Sequence, residues 1–321
     1  MRHAIDSTEL DLSGLTVLTE AASGAYATTA VIAAMAGAEK VNAFVRPSRY
    51  GSVADVQSCV MQLASFVGVE NQVTILEDLR EDALSRVDIV TNSGHLRPLS
   101  ADLIDNLPDY AVIALMFEAW EFRANDIDVD ACRRRNIPIV GVNERHPAVD
   151  VFSFLGPLCV KQLHDCGFAG YRNRVALICD NDFGASLAHG LSAVGASIDV
   201  FTDAGDLVRE EWDAIVIALT PGEEPRVGPS EIHHIANCVP PGAVVIQFWG
   251  DVDHEAARSM GLSIWPALRP RPGHMAVLLS DIGPEPIVRL QAGGLRAAEL
   301  VRREGTQSRN ELAQLVSLNE L

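Results

Sequence analysis

Short runs of β-branched and other apolar residues alternate with longer helix-forming stretches along the whole of this chain of 321 residues. This alternation is typical of parallel sheets whose strands are joined by crossover helices. The predicted strands cover residues 15–20, 40–45, 72–76, 87–92, 110–117, 137–142, 174–179, 197–201, 212–219, 243–249 and 262–267. We therefore expect an α/β fold.

The two halves of the chain are similar to each other. Residues 87–142 can be aligned with residues 212–267, and Asp88 then matches Asp213. Similarity between halves predicts two like domains. We expect two tandem Rossmann-like, doubly wound parallel-sheet domains with a crevice between them, the second one abbreviated.

The domain boundaries follow from the join between the halves and from the last apolar helix pattern. We predict a Rossmann-like domain over 1–145, an interdomain helix over 146–172, a second Rossmann-like domain over 173–285, and C-terminal helices over 286–321. The C-terminal helices present one apolar face, which favours packing back on the first domain.

Charge and composition exclude several partners. Lys and Arg total 25 against 43 Asp and Glu, and a formal charge of −18 repels nucleic acid and anionic lipid. No apolar run approaches the ~20 residues of a membrane span, and the N-terminus lacks a secretory apolar core. The 6 scattered cysteines predict buried free thiols in a reducing compartment. We expect a cytoplasmic protein without a metal site. We also expect a homodimer, because proteins of this architecture commonly form one.

The segment RRRNIPIVGVNERHPAVDVFSFL (133–155) resembles a segment of the D-isomer-specific 2-hydroxyacid dehydrogenases. In that family a similar strand leads into the interdomain helix and then into a dinucleotide-binding domain. The resemblance implies tandem Rossmann-like domains, and His274 lies roughly where the family has its catalytic histidine. The family's GxGxxG is replaced by CDNDFGASL (179–187), and its arginine after the next-to-last strand is absent from QFWGDVDHEA (247–256).

Two turns compete for a nucleotide. The turn of the second half carries Asp180 and Asp182, which would repel a pyrophosphate. The turn of the first half has small residues, hydroxyls and one glycine before a helix, as a phosphate site requires. Its alternative is a small-residue turn that only packs a helix on a strand.

Residues after the second strand favour a phosphorylated coenzyme. Two arginines and a serine suit a 2′-phosphate, so we expect NADP (or NAD) in the first half. The alternative is a solvated basic turn. The predicted cofactor-binding residues are Ser23, Gly24, Ala25, Tyr26, Arg46, Ser48, Arg49 and Asn92.

Polar residues also gather at the predicted carboxyl ends of the strands, where open α/β sheets bind ligands. His95 or His274 is the predicted proton carrier, with Glu118 or Glu121 expected beside His95. Arg97 or Arg145 is the predicted clamp for a substrate carboxylate, although either arginine could instead pair with a nearby glutamate.

These residues favour an NAD(P)-dependent oxidoreductase acting on a small carboxylate-bearing metabolite such as a 2-oxo, 2-hydroxy or amino acid. Two alternatives stay open. The first is a non-redox enzyme of the same fold, such as a lyase, transferase or cyclodeaminase-like catalyst. The second is a non-catalytic protein that binds a small ligand. The sequence carries no GxSxG, SxxK or phosphate-loop motif of a hydrolase or kinase.

Overall fold

The computed structural model describes residues 1–48, 51–307 and 310–318. They form two compact units. Unit 1 consists of Met1–Val151 and Gly283–Leu321, and unit 2 consists of Phe152–Ile282. Arg49, which the sequence assigns to the cofactor, lies outside the described residues.

Unit 1 is built on one sheet of seven strands in the order β12-β6-β5-β4-β1-β2-β3. All neighbours are parallel except β12, which pairs antiparallel with β6. The strands are β1 (Thr16–Glu20), β2 (Lys40–Phe44), β3 (Val73–Leu76), β4 (Ile89–Thr91), β5 (Val112–Ala114), β6 (Ile139–Val142) and β12 (Ala313–Leu315).

Helices cover the sheet of unit 1. They are α1 (Arg2–Thr8), α2 (Thr28–Met35), α3 (Val53–Val67), α4 (Glu81–Leu84), α5 (Ala101–Asp105), α6 (Val129–Arg135) and α11 (Glu285–Glu304). A capping box of Ser52 and Asp55 begins α3, and Gly68 ends it with a φ of 76°. The predicted apolar face of the last helix is buried, because Ile287, Leu290 and Val301 are each less than 9% exposed.

Unit 2 has a sheet of five parallel strands in the order β11-β10-β9-β7-β8. Its strands are β7 (Arg174–Ile178), β8 (Ser197–Phe201), β9 (Ala214–Ala218), β10 (Val244–Trp249) and β11 (Ser263–Trp265). Its helices are α7 (Leu155–Asp165), α8 (Phe183–Ala193), α9 (Pro229–Cys238) and α10 (His254–Ser259). The helices α7 and α8 touch at their backbones, since a Cβ on Gly156 would lie 2.7 Å from the Ser186 carbonyl oxygen.

The aligned aspartates of the two halves have the same structural role. Asp88, just before β4, accepts a hydrogen bond at 2.8 Å from the backbone N–H of Thr16, the first residue of β1. Asp213, just before β9, accepts one at 2.7 Å from the N–H of Arg174, the first residue of β7. Each carboxylate therefore fastens the start of one strand to the start of its neighbour in the same sheet.

The fold class is confirmed: the chain forms two tandem Rossmann-like parallel sheets. Each of the predicted strands overlaps an observed one, and the observed strands are shorter by up to a few residues at their ends. Among the strands of the described residues, β12 is the one that the sequence did not predict. All six cysteines are free thiols, and burial raises the pKa values of Cys132 and Cys159 to about 12. Within the part of the chain that the structure describes, no helix combines the length and apolarity that crossing a bilayer requires.

Candidate functional site

The strand order of unit 1 creates a natural ligand position at the carboxyl end of β1. This strand pairs with β2 on one side and with β4 on the other. The connection after β1 leads to β2, whereas β4 is reached later by a crossover in the opposite direction. Loops diverge at such a switch point, and ligands of open α/β sheets bind there.

A buried carboxyl group spans this position. Glu20, the last residue of β1, is 7% exposed, and its Oε2 accepts a hydrogen bond at 2.9 Å from the backbone N–H of His95. A Cβ on the neighbouring Gly94 would overlap the Oε2 and lie 2.9 Å from the Cδ of Glu20, so a larger residue there would displace this carboxyl group. Burial raises the pKa of Glu20, and the His95 N–H offsets part of this effect.

The loop after β4 folds around the side chain of Arg97. Its Nη2 donates to the carbonyl oxygen of Asn92 at 2.7 Å, and its Nε lies 3.7 Å from Asp126 Oδ2. The guanidinium also lies 5.5 Å from the centre of the Phe117 ring. Burial lowers the pKa of Arg97, and the charges of Asp126 and Glu20 act against that shift. The guanidinium is therefore a cation that is fixed in position and partly shielded from solvent.

Two side-chain nitrogens in this loop lack a hydrogen-bond partner among the described residues 1–48, 51–307 and 310–318. They are Asn92 Nδ2, on a fully buried side chain, and Nδ1 of the half-buried His95. Buried polar atoms in folded proteins are almost always satisfied. Each of these two nitrogens is therefore available for a hydrogen bond with a bound polar group.

The turn after β1 is open beside Gly24. A single 3-10 turn covers Gly24–Ala27 and runs directly into α2. Gly24 has a φ of 61°, and the space where its Cβ would point is open to 4 Å. The hydroxyl of Thr28 donates to the Ala25 carbonyl oxygen at 2.6 Å and steadies the turn. An open glycine before a helix N-terminus fits the backbone approach of a pyrophosphate.

The predicted 2′-phosphate residues lie beyond the end of β2. Arg46 is exposed, and its Nη2 donates to the Arg97 carbonyl oxygen at 3.0 Å. This contact joins the end of β2 to the loop after β4. Ser48 pairs with Gly51 through two backbone hydrogen bonds of 3.4 and 3.3 Å. The structure thus groups Arg46, Arg97, Asn92 and His95 around one switch point.

Glu118 belongs to a different group of side chains. It is 1% exposed, it accepts hydrogen bonds from the Trp120 indole and from the backbone N–H of Glu144 at 3.2 Å, and it lies 3.6 Å from Arg145 Nη2. The sequence led us to expect Glu118 or Glu121 beside His95, whereas the carboxylate that accepts a hydrogen bond from the His95 backbone is Glu20. The reason is strand order, since Glu118 follows β5 and is drawn to the residues that follow β6.

Glu118 shares its surroundings with two further carboxyl groups, and their ionisation is disfavoured. Burial is the main cause that raises the pKa of Glu121, and repulsion from Glu118 adds to it. Burial followed by repulsion from Glu121 and Glu118 raises the pKa of Glu144 well above its ordinary value. The Arg145 guanidinium opposes this repulsion. Arg145 is therefore partly committed to neutralising carboxylates, the alternative that the sequence left open.

In unit 2 the turn after β7 is closed by its own side chains. Asp180 accepts a hydrogen bond at 2.7 Å from the Thr220 backbone N–H and forms an ion pair of 2.9 Å with Arg226. Thr220 follows β9, the neighbour of β7 at the switch point of this sheet. A pyrophosphate at this turn would compete with a carboxylate already bonded in place, so these residues do not fit a dinucleotide.

His274 lies in unit 2 on an anchored loop. Its backbone N–H donates to the Arg271 carbonyl oxygen at 3.0 Å. The preceding Gly273 accepts from the Trp249 indole at 3.1 Å and donates to Asp251 at 3.1 Å. The loop that carries His274 is thus held by two buried side chains, those of Trp249 and Asp251.

Sequence reasoning missed two residues of the switch point in unit 1. From the sequence, Glu20 was only the last residue of the predicted strand 15–20, and Asp126 was not singled out. A signal existed for Glu20, since a carboxylate at the end of an otherwise apolar strand has to find a partner. No local signal pointed to Asp126, because its partner Arg97 is distant in sequence.

A scan against protein-family models and a search of curated proteins find no match for this chain. Solved structures with a similar fold include a dipicolinate synthase from Bacillus halodurans, which has 13% identity and a TM-score of 0.56 over 91% of this chain and 98% of that one. The dipicolinate synthase from Bacillus subtilis has 10% identity and a TM-score of 0.54 over 92% and 97%. The pyruvate reductase of Chlamydomonas reinhardtii has 10% identity and a TM-score of 0.51 over 93% and 98%.

The similarity covers both units and lies in the fold, since the sequences agree at few positions. The tandem Rossmann-like fold that the resemblance to the 2-hydroxyacid dehydrogenases implies is shared with these solved structures.

Proposed function

We propose that this protein is an oxidoreductase that uses a nicotinamide dinucleotide, NADP or NAD, held by unit 1 and acts on a small carboxylate-bearing metabolite. The observation that carries the proposal is the convergence of Arg46, Arg97, Asn92 and His95 at the switch point beside β1. Two arginines, together with two nitrogens that have no hydrogen-bond partner among the described residues, suit an anionic ligand with polar groups. The tandem Rossmann-like fold supports the same function.

The residues proposed to hold the coenzyme are those of the turn after β1 and of the end of β2. Ser23, Gly24, Ala25 and Tyr26 would receive the pyrophosphate, and Arg46 with Ser48 and Arg49 would receive a 2′-phosphate. The Asn92 amide nitrogen is available for a further polar group of the coenzyme. When bound, the nicotinamide ring supplies hydride transfer.

The remaining chemistry falls to side chains of this chain. His95 is the proposed proton carrier, because its Nδ1 has no partner among the described residues and its backbone is fixed by Glu20. His274 is the second candidate. Arg97 would orient the substrate carboxylate, since its guanidinium is already held in one place by Asn92. Arg145 is the alternative clamp, and Glu118 would position it.

Binding of the coenzyme is the first test. NADPH and NADH are titrated into the purified protein by calorimetry, and Arg46→Ala is compared with Arg80→Ala. Arg80 is a matched control because its side chain is 77% exposed on the same unit and pairs only locally, with Asp78. Loss of one charge-assisted contact of about 1.5–3 kcal/mol corresponds to a weakening of roughly 10- to 100-fold for NADPH. NADH binding should change little, and Arg80→Ala should behave as the wild type.

Absence of micromolar binding of both coenzymes would remove the proposal.

Turnover is the second test, measured as NAD(P)H oxidation with a panel of 2-oxo acids. Replacing His95 with Gln should lower kcat by roughly 100-fold or more if it carries the proton. Full activity of both His95→Gln and His274→Gln would remove the two proton-transfer assignments. Light scattering during gel filtration tests the expected homodimer.

A non-redox enzyme of the same fold is the competing function. The similarity in fold to two proteins named dipicolinate synthase supports it, because they show that tandem domains of this kind also occur in proteins not named dehydrogenases. A purified protein that releases a nicotinamide on denaturation, yet shows no net oxidation or reduction of any substrate, would favour this alternative. Binding of a small ligand without any turnover would favour a non-catalytic role.

A further inference from the structure

The carboxyl end of β7 is the switch point of unit 2. β7 lies between β8 and β9, and the chain leaves β7 towards β8 before it returns to β9. Sheets with this order bind phosphate groups between the loops that follow the two diverging strands. Here those loops contain Asp180 and Asn181 after β7, and Thr220 and Arg226 after β9.

Four donors converge on the Asp180 carboxylate. Oδ1 accepts from the Thr220 N–H at 2.7 Å, from the Thr220 hydroxyl at 3.1 Å and from Asn181 Nδ2 at 3.1 Å. Oδ2 lies 2.9 Å from Arg226 Nη2. Although partial burial raises the pKa of Asp180, the bonds from Thr220 and Arg226 outweigh it and lower the pKa below its ordinary value. The group in this position is therefore an anion at neutral pH.

The donors are held in place by bonds that do not involve Asp180. Arg226 Nη1 donates to the Thr220 carbonyl oxygen, and Asn181 Nδ2 also donates to the Ala218 carbonyl oxygen at 2.8 Å. Asn181 Oδ1 accepts from the Phe183 N–H at 3.1 Å, which ties it to the start of α8. Removing the carboxylate thus leaves a donor set that is already arranged.

We propose that these donors form an anion site in unit 2 which Asp180 occupies as an intramolecular ligand, and that the site binds a phosphate or carboxylate group once the Asp180 side chain is withdrawn. A tethered carboxylate has an effective concentration on the order of millimolar or higher, so dilute external anions do not displace it. In the wild type, the Asp180 carboxylate therefore keeps phosphate groups out of the site by competition. The hydrogen-bond donors of Asn181, Thr220 and Arg226 are nevertheless in place.

Neighbouring charges set the expected affinity. Asp182 belongs to the loop after β7, and Glu223 and Glu224 belong to the loop after β9. Their carboxylates oppose an anion in this region, and Arg226 is the cation that favours it. Binding of a simple anion to the opened site should therefore be in the millimolar range.

The test is rescue of an opened site by an external anion. Asp180→Ala is compared with the wild type and with Glu223→Ala, which removes one carboxylate from an exposed position of the neighbouring loop. Thermal unfolding is followed with and without inorganic phosphate, and separately with acetate, at constant ionic strength. A ligand that binds only the folded state raises its unfolding temperature.

We expect phosphate or acetate to raise the unfolding temperature of Asp180→Ala more than that of the wild type or of Glu223→Ala. In calorimetry, the same anion should bind Asp180→Ala at least tenfold more tightly than it binds either of the other two proteins. The anion that acts more strongly identifies the class of ligand. Adding Arg226→Gln to Asp180→Ala should abolish the gain. Equal effects of both anions on all three proteins, or a gain that survives Arg226→Gln, would overturn the proposal.

Asp180→Asn provides a second variant if Asp180→Ala does not fold, because the amide keeps the size and one acceptor while it releases the charge of Arg226. A smaller gain in anion binding is expected for it, and no gain would overturn the proposal as well. No nicotinamide coenzyme enters these experiments. Their outcome is therefore independent of the proposed oxidoreductase activity.

Discussion

The contact between Glu20 and Gly94 makes a sharp prediction about the stability of unit 1. In Gly94→Ala, the added methyl group would overlap Glu20 Oε2 and lie 2.9 Å from Cδ. Gly94 is not among the glycines with positive φ, so backbone strain does not contribute. The Glu20 carboxyl group has to move, and it then loses the hydrogen bond of 2.9 Å from the His95 N–H.

The size of the effect follows from two contributions. Overpacking a filled site costs about 1–3 kcal/mol, and a lost hydrogen bond to a charged group costs about 1.5–3 kcal/mol. Because displacement of Glu20 relieves part of the overlap, the two costs do not add in full, and we expect Gly94→Ala to destabilise unit 1 by about 3 kcal/mol. In a Glu20→Ala background the clash is absent, so the same substitution should cost less than about 1 kcal/mol.

The assay is hydrogen exchange by mass spectrometry in increasing urea, because peptides from β1 and β4 report on unit 1 separately from unit 2. Gly184→Ala is the control, since its Cβ would meet Cys179 Sγ at an ordinary 3.5 Å and alanine favours the helix. It should be neutral or slightly stabilising for unit 2. If Gly94→Ala costs less than about 1 kcal/mol in the wild type, or if the costs of Glu20→Ala and Gly94→Ala are additive within about 0.5 kcal/mol, the assigned contact is refuted.

Three further predictions concern other contacts. Gly190→Ala should destabilise unit 2 by about 2–3 kcal/mol in thermal unfolding. The reason is that the added Cβ would lie 2.6 Å from the Gly156 carbonyl carbon, so α7 would have to separate from α8. An unchanged melting temperature would contradict this. Because the pKa of Glu144 is raised in the fold, its contribution to stability is present below its ordinary value of 4.5 and is lost as pH rises through the raised pKa. Glu144→Gln should therefore flatten the decline in stability that follows as the pH rises above 4.5. Urea unfolding across pH decides, and parallel curves for both proteins would count against this prediction. Asp88→Ala should lower the free energy of unfolding by roughly 1 kcal/mol more than Asp213→Ala does, because Asp88 also pairs with Arg302 at 2.9 Å. Equal losses in chemical unfolding would show that the ion pair adds nothing to stability.

Local patterns in the sequence were enough to predict the architecture. A strand is recognised from five or six apolar residues between turns, which is information carried within a short window. The alignment of Asp88 with Asp213 likewise predicted a repeat, and each aspartate fastens the first residue of the first strand of its unit. The gathering of Arg46, Asn92, His95 and Arg97 at one edge also followed, because parallel strands end at the same edge of a sheet.

Partnerships between these side chains depended on which strands are neighbours. Glu20 reaches His95 because β1 lies beside β4, and Glu118 reaches Arg145 because β5 lies beside β6. Asp180 closes the second switch point because Thr220 and Arg226 follow the adjacent β9. The strand β12 takes its backbone partners from β6, which is distant in the sequence.

The sequence by itself therefore determined the elements and the edge at which polar groups collect, since both are set by residues close together in the chain. Only the tertiary structure decided which carboxylate meets which donor, because strand order brings together loops separated by dozens of residues. That order distinguishes the two units: among the described residues, the first leaves nitrogens without protein partners at its switch point, while the second fills its own with Asp180.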